Sequence, residues 1–300
     1  MTDQANILRT LMERCHAISD RTADPDRNRP AAQAHTIAVT GGKGGVGKSN
    51  IALNVAIAMA DRETTVCLLD ASPGLGNIDL LCGLNGYWNL SHVVTGARRL
   101  REIVLSGPAG VDVIPGAGGL NDLAECPESV RNEILVQLRE LEKQYDYILI
   151  DTGTGIDRSV RRFVTAADLV LIVTTPEPTA VADAYATIKS LAAVPERQLD
   201  LLVNRAASPD QADVILDRLR QTSRLFLRTD VGSMGFLPRD DTVPDAVARR
   251  LPFLLHAPES SVSRAVRQLA TRLKNRTDRQ PPHESFFSRL TQLDASRRSA

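Results

Sequence analysis

The sequence predicts an α/β fold with a mostly parallel central sheet flanked by helices. From residue 36 onward, short runs of β-branched residues alternate with segments of helical length. Several runs are apolar without alternation, as in strands that are buried on both faces, and helices between such strands indicate parallel crossover connections. The predicted strands are residues 36–40, 65–69, 111–114, 147–150, 169–173, 201–203 and 231–237, and the predicted helices are residues 48–60, 130–144, 157–166, 180–191, 211–220 and 261–274.

Both ends of the chain differ from this alternating region. Residues 1–18 are predicted to form a short helix because apolar residues recur at helical spacing, and the polar, proline-containing residues 19–34 are typical of a linker. A single domain is expected over residues 35–275. The tail, residues 276–300, has an apolar helical stripe, which is either an amphipathic membrane-binding helix or a helix that docks on protein; the stripe consists of Phe286, Phe287, Leu290 and Leu293.

Composition excludes several classes of protein. The 36 basic and 36 acidic residues balance, which argues against a nucleic-acid binder driven by bulk charge. The four cysteines are far apart with no CxxC pair, so neither a zinc site nor an iron–sulfur carrier is indicated. No apolar run reaches the roughly 18 to 20 residues that cross a bilayer, and Asp3 and Glu13 interrupt any signal peptide, so we expect a cytoplasmic protein.

A glycine-rich loop follows the first predicted strand and leads into the first predicted helix. It satisfies the pattern G-x-x-x-x-G-K-[ST], in which backbone N–H groups converge on phosphates without obstruction by side chains. The lysine would neutralise the β- and γ-phosphates, and the serine hydroxyl would ligate Mg²⁺. The predicted phosphate-binding residues are Gly42, Lys43, Gly44, Gly45, Val46, Gly47, Lys48, Ser49 and Asn50.

Two predicted strands end beside carboxylates. Asp70 follows the second predicted strand, and Asp151 follows the strand at residues 147–150. Since the carboxyl edge of a parallel sheet faces the ligand crevice, both aspartates are candidates for holding Mg²⁺ together with Ser49.

The glycine-rich loop resembles the deviant Walker A loop, xKGGxGK[ST], of the MinD/ParA ATPases. This resemblance implies a P-loop NTPase fold of the SIMIBI class, with ATP and Mg²⁺ as ligands. It also implies a homodimer, because in that family the early lysine, here Lys43, reaches across an ATP-sandwich dimer to the partner's nucleotide. Asp151 looks like the Walker B aspartate.

Within that family the chain resembles the FlhG branch, also called YlxH or FleN, which regulates flagellar number and placement. The segments that carry the resemblance are residues 74–81, 89–94, 107–108, 114–120, 151–156 and 174–179. Near the N-terminus, the branch's DQAxxLR motif, which binds the GTPase FlhF, is matched by Asp3, Gln4, Ala5, Leu8 and Arg9. The implied partners are an FlhF-like GTPase and either a flagellar C-ring component or a transcriptional regulator.

The resemblance also suggests how the base is bound. Asn204 corresponds to the family's adenine-binding asparagine, with Arg205 next to it. Pro238 lies in the segment at residues 236–240, which corresponds to the loop that closes over the base.

One position departs from the family pattern. The usual Asp-x-Asp after the second strand is Asp70-Ala-Ser72 here. In the family the first aspartate organises the Mg²⁺ shell and the second orients the attacking water. Serine carries no charge and is a poor proton acceptor, so we expect slow or absent hydrolysis unless another group such as Asp157 compensates.

Other functions remain open at this stage. An ATP-gated scaffold or transcription anti-activator would need no turnover, whereas a MinD-like division-site ATPase or a ParA-like partition ATPase would. DNA is an unlikely ligand, because the late basic residues are typical of a solvated face; these residues are Arg249, Arg250, Arg264, Arg267, Arg272, Lys274 and Arg276.

Overall fold

The computed structural model describes residues 33–72, 76–116, 126–155, 157–192, 198–277 and 284–295. Within these residues, eight strands form one sheet in the order β3-β4-β2-β5-β1-β6-β7-β8. All neighbouring strands are parallel except β3 and β4, which are antiparallel. The predicted α/β class with a mostly parallel sheet is therefore confirmed.

The strands and helices alternate along the chain as expected for crossover connections. The strands are β1 (His35–Thr40), β2 (Val66–Ala71), β3 (Leu105–Ser106), β4 (Asp112–Ile114), β5 (Tyr147–Thr152), β6 (Leu169–Thr174), β7 (Gln198–Ala206) and β8 (Gly232–Pro238). The first helices are α1 (Lys48–Met59), α2 (Ile78–Leu81), α3 (Leu90–Val94), α4 (Leu100–Ile103), α5 (Glu128–Glu142) and α6 (Arg158–Ala166). The later helices are α7 (Pro178–Leu191), α8 (Pro209–Leu227), α9 (Thr242–Ala248), α10 (Phe253–His256), α11 (Ser261–Thr277) and α12 (Phe286–Ala295).

Apolar side chains from the sheet enter a separate core on each face. Successive residues of a strand point to opposite sides, so Ile37 and Val39 of β1 lie in one core and Ala38 lies in the other. The first core contains α1 and α11, which pack on each other. The second contains α5, α6, α7 and α8. Because both faces are covered, the central strands need apolar residues at every position, which is the pattern that predicted them.

The predicted elements are present, but their ends differ from the prediction. Strands β2 and β5 extend past residues 69 and 150 to include Asp70 and Asp151, since ladder pairing continues through these polar residues. Helix α8 continues past residue 220 to Leu227. The short strand β3 and the short helices α2, α3, α4, α9 and α10 have too few residues for a periodic signal and were not predicted. The predicted N-terminal helix and nearly all of the linker lie outside the described residues.

The C-terminal apolar stripe does not face solvent. Phe286 and Phe287 are essentially fully buried, Leu290 is buried beside them, and α12 contacts α5 and α6. Of the two arrangements that the sequence left open, docking on protein is the one observed, and membrane binding by these residues stays a prediction. The side chain of Leu293 lies outside what the structure describes. Every described helix is too short or too polar to span a bilayer.

Polar contacts with two different partners fix the first turn of α12. Glu142, buried at the end of α5, accepts hydrogen bonds from Ser285 Oγ at 2.6 Å and from the backbone N–H of Phe286 at 3.0 Å. Arg289 pairs with the buried Asp168 carboxylate at 2.6 Å. Helix α12 is thus held by apolar burial and by an ion pair that is largely shielded from water.

If α12 is docked in solution, Phe286→Ala leaves a cavity between α12 and its neighbours and lowers the free energy of unfolding by about 3 to 5 kcal/mol. Urea denaturation followed by circular dichroism measures this. Phe226→Ala is the matched control, because Phe226 is 74% exposed and its loss should change stability by less than about 0.5 kcal/mol. Equal stability of the two variants would show that α12 does not pack as described.

Candidate functional site

The loop between β1 and α1 leaves the amino end of α1 free for an anion. Gly45 and Gly47 have φ angles of 79° and 98°, in the left-handed region that side-chain-bearing residues rarely adopt. Gly47 is the N-cap of α1, and neither a side-chain cap nor an acidic residue in the first turn satisfies the helix N–H groups. Unpartnered helix N–H groups and the helix dipole together attract a phosphate.

A polar cleft of about 380 Å³ opens at this helix end. It brings five of the nine predicted loop residues together with Ser72 and Arg205, which come from distant parts of the chain, whereas Gly42, Lys43, Gly44 and Val46 do not line it. Its lining residues are Gly45, Gly47, Lys48, Ser49, Asn50, Ser72, Asn77, Thr152, Gly153, Thr154 and Arg205. Asn77, Thr152 and Thr154 were not singled out as site residues, although each lies in a segment that carries the family resemblance.

Asp70 and Asp151 are register partners on the adjacent strands β2 and β5. Both are 1% exposed. Burial, together with the nearby Asp70 charge, raises the pKa of Asp151 to about 7, although a hydrogen bond with Ser49 and the charge of Lys48 act against this. Burial also raises the pKa of Asp70, while hydrogen bonds from Ser72 and Ile78 lower it. The two carboxyl groups thus share a poorly solvated edge of the sheet.

Lys48 is the cation whose charge acts on Asp151. It is buried, and its Nζ lies 3.4 Å from the carbonyl oxygen of Lys43. Burial lowers the pKa of Lys48, and the charge of Asp151 partly restores it. A buried ammonium group with one long hydrogen bond has donors left for another anion.

Lys43 points away from this cluster. Its Nζ contacts Glu177 Oε2 at 2.5 Å and Thr179 Oγ1 at 2.8 Å, in the segment where α7 begins. The side chains of Lys43 and Glu177 are 35% and 58% exposed. Exposed ion pairs contribute little to stability, so Lys43 can leave this contact at small cost.

Ser72 is the residue predicted to replace the second aspartate of the family pattern. Its backbone N–H donates to Asp70 Oδ1 at 3.1 Å, and its side chain lines the cleft. Asp157, the suggested substitute, accepts a hydrogen bond from the N–H of Val160 as the N-cap of α6 and is not among the lining residues. No carboxylate therefore takes the position of the missing aspartate among the residues described here.

Asn204 contacts the phosphate loop itself. Its Nδ2 donates to the carbonyl oxygen of Val46 at 2.8 Å, and its Oδ1 accepts from the N–H of Arg205 at 3.0 Å. Arg205, which lines the cleft, has a φ of 60°. Neither Asn204 nor Pro238 is among the lining residues, so their assignment to adenine binding stays a prediction.

The late basic residues mostly bind groups of this chain. Lys274 pairs with Asp61, Arg276 with Asp200 and Arg249 with Asp245. Arg264, Arg267 and Arg272 donate to backbone carbonyl oxygens. These contacts agree with the expectation that the basic residues belong to a structural, solvated face.

The cleft fits a phosphate and a divalent cation. The free N–H groups of α1 and the buried Lys48 suit phosphate oxygens. Asp151 Oδ1 is buried and has no hydrogen-bond partner within the described structure, which suits a nearby cation. Among the described residues, no cluster of three or more His, Cys, Asp or Glu side chains could hold a metal alone. Mg²⁺ commonly uses one or two carboxylates together with substrate phosphates, so this set is sufficient.

Comparison with known proteins gives concordant results. The family described as "AAA domain" (AAA_31) matches residues 34–202. The chain is 35% identical over 264 residues to the antiactivator FleN of Pseudomonas aeruginosa, covering 87% of this chain and 94% of that protein. It is 32% identical over 261 residues to the flagellum site-determining protein YlxH of Helicobacter pylori, covering 85% and 88%. MinD in the MinC:MinD complex of Aquifex aeolicus has a similar fold, with a TM-score of 0.64, 25% identity and coverage of 84% and 99%.

The Asn204 contact predicts a measurable effect on the loop without any ligand. Asn204→Ala leaves the Val46 carbonyl oxygen without its donor and should lower stability by about 1 to 3 kcal/mol. It should also speed amide hydrogen exchange in residues 44–48. Asn54→Ala is the matched control, because Asn54 accepts the N–H of Leu254 and donates to the Asn50 carbonyl oxygen within α1, and neither hydrogen bond involves residues 44–48. Loop exchange that is the same in both variants would contradict the proposed bracing of the loop by Asn204.

Proposed function

Because the chain belongs to the AAA domain family and to the FlhG branch of the MinD/ParA P-loop ATPases, we propose that it is an ATP-dependent dimerisation switch. The switch would regulate the number or placement of flagella. The observation that carries the proposal is the uncapped amino end of α1, which opens into a polar cleft lined by Lys48 and Ser49. Asp70 and Asp151 do not line this cleft but are buried on β2 and β5, and Asp151 is hydrogen-bonded to Ser49. A nucleotide phosphate chain would bring negative charge to the helix end and Lys48, and Mg²⁺ would bring positive charge to the two carboxyl groups.

We assign the residues of the cleft and the two buried aspartates next to it to two groups, phosphate ligands and metal ligands. The loop N–H groups and Lys48 would bind the phosphates, and Ser49, Asp70 and Asp151 would hold Mg²⁺. When bound, Mg²⁺ neutralises phosphate charge. Asn204 keeps the loop in its binding conformation through Val46, and Arg205 borders the same cleft.

Lys43 is the residue that links nucleotide to dimerisation in this proposal. In the single chain it pairs with Glu177 at an exposed site, and it is released there at little cost. In the dimer it would contact the partner's bound nucleotide. Because that contact exists only with nucleotide bound, ATP favours the dimer by mass action.

Hydrolysis is proposed to be slow. Phosphoryl transfer depends on positioning and electrostatic stabilisation, and a positioned proton acceptor adds about 10² to 10⁴-fold. Ser72, Asn77 and Thr154 line the cleft and can hydrogen-bond a water molecule, but none is a good base at neutral pH. We therefore expect long-lived ATP occupancy.

A second candidate is an ATP-gated anti-activator without turnover. Ser72 favours it, as does the similarity to a protein named for antiactivation. In this alternative, nucleotide occupancy alone presents the surface that binds a transcriptional regulator. Partner binding that needs ATP but proceeds equally with a non-hydrolysable analogue distinguishes it from a cycling ATPase.

Further partners follow from the FlhG branch. The motif residues at positions 3–9 are proposed to bind an FlhF-like GTPase, and they lie outside the described residues. A flagellar C-ring component is the alternative to a transcriptional regulator. Any peripheral membrane contact requires α12 to leave its site on α5 and α6, because its aromatic residues are buried there.

The dimerisation switch is tested by light scattering with no nucleotide, with ADP and with a non-hydrolysable ATP analogue. The mass should rise from 32.6 kDa to about twice that value only with the ATP analogue. Lys43→Ala should remain monomeric, while Lys189→Ala, an exposed lysine of α7, should dimerise normally. A wild-type monomer in all three states would disprove the switch.

The role of position 72 is tested by phosphate release. Ser72→Asp should raise the turnover rate by about 10² to 10⁴-fold, because a proton acceptor is restored. Ser72→Asn has a similar size without a carboxylate and should give no increase. Rapid wild-type turnover that Lys48→Ala abolishes and Ser72→Asp leaves unchanged would refute the proposed effect of Ser72.

A further inference from the structure

An aromatic cluster with a stacked arginine lies on α3 and the adjoining loops, which the nucleotide site does not use. The ring of Trp88 contacts Tyr87 edge-on at 4.6 Å and His92 edge-on at 4.9 Å between centroids. The guanidinium carbon of Arg98 lies 4.0 Å from the Trp88 ring centroid. We call these four residues the Trp88 cluster.

The backbone around the Trp88 cluster is well fixed. Asn89 caps α3 by accepting a hydrogen bond from the N–H of Ser91, and the N–H of Leu90 donates to the Pro115 carbonyl oxygen after β4. The N–H of Arg98 donates to the carbonyl oxygen of His92, which folds the chain back over Trp88. A surface fixed in this way loses little conformational entropy on binding.

The Trp88 cluster exposes large aromatic side chains to solvent. Tyr87 is 77% exposed, the highest value among the large apolar side chains named as exposed in the described residues. Trp88 is the only tryptophan of the chain, and it packs on the core with part of its surface accessible. Tryptophan, tyrosine and arginine are the residues that most often dominate the energy of protein interfaces.

The Trp88 cluster carries the positive charge of Arg98, and the segment that follows adds Arg99 and Arg101 against one acidic residue, Glu102. Arg98, Arg99 and Arg101 form no ion pair within the described residues. The nearby Glu102 accepts the backbone N–H of Arg99 instead. The guanidinium of Arg98 makes one long hydrogen bond, at 3.5 Å to the Ala97 carbonyl oxygen, so most of its N–H donors are available. A stacked guanidinium with free donors binds a carboxylate through two parallel hydrogen bonds.

We propose that the Trp88 cluster is a docking surface for an acidic peptide segment of a protein partner, with a carboxylate bound by Arg98 and an adjacent apolar side chain packed against Tyr87. The available N–H donors of Arg98 suit an acidic residue of the peptide. The exposed ring of Tyr87 suits an apolar residue next to it. None of the four cluster residues lines the nucleotide cleft.

A nucleic acid fits the Trp88 cluster less well. Single-strand binding uses several stacking rings in succession, whereas Arg98 already covers a face of Trp88, which leaves Tyr87 as the exposed ring of the cluster. The chain as a whole carries no net positive charge to follow a phosphate backbone. A carboxylate needs only the guanidinium edge, which is free.

Trp88 itself reports on binding, because all tryptophan fluorescence of the chain comes from it. The full-length protein is titrated with a short synthetic peptide of glutamate, leucine and glycine, with its glutamine counterpart, and with oligothymidine. We expect a saturable change with the glutamate peptide that weakens at high salt. Arg98→Ala should raise the Kd about tenfold or more, Arg98→Lys should raise it less, and Tyr87→Ala should raise it several-fold.

The control for charge is Arg218→Ala, which removes an exposed arginine of α8 and should bind the peptide as the wild type does. Binding of a fluorescent ATP analogue should be unchanged in all of these variants, so failure of the docking surface is distinguishable from failure of the nucleotide site. No change with the glutamate peptide, equal binding of the glutamine peptide, or an unaltered Kd for Arg98→Ala would overturn the proposal. Tighter binding of oligothymidine would show a nucleic-acid surface instead.

Discussion

The side-by-side placement of Asp70 and Asp151 on neighbouring parallel strands sets the electrostatics of the sheet edge next to the cleft. Parallel register places the two carboxyl groups side by side at the carboxyl edge, and covering both faces of the sheet removes them from water. Like charges in a poorly solvated site repel, so the arrangement is stable only with compensating positive charge. Lys48 supplies part of it, and the free Asp151 oxygen leaves room for a cation.

The serine at position 72 also affects the repulsion between the negative charges at this edge of the sheet. A carboxylate there would place a third negative charge next to two that are already poorly solvated, and its backbone N–H already stabilises Asp70. Serine therefore relieves repulsion in the nucleotide-free protein while removing a proton acceptor. Stability and catalysis make opposite demands at this position, as is common in active sites.

The sequence was informative where local chemistry decides structure. Continuous apolar runs predicted the central strands, and glycine spacing predicted the loop before α1. Contacts between distant residues were not predictable. Asn204 was assigned to the base from resemblance, yet its amide holds the loop at Val46, a contact that depends on β7 lying near β1. The apolar stripe of α12 allowed either membrane or protein as its surroundings, because amphipathicity alone does not identify the neighbour. Only the buried partners Glu142 and Asp168 distinguish the two.

The docked α12 also constrains the order in which the chain can fold during synthesis. Arg289 binds Asp168 and approaches the Thr36 hydroxyl of β1, so α12, which is synthesised after the sheet, completes a core to which β1 already belongs. A nascent chain on the ribosome exposes the apolar surfaces of α5 and α6 until α12 emerges. Such transiently exposed surfaces are bound by chaperones or aggregate. A chain that ends before Phe286 would leave the apolar surfaces of α5 and α6 exposed permanently.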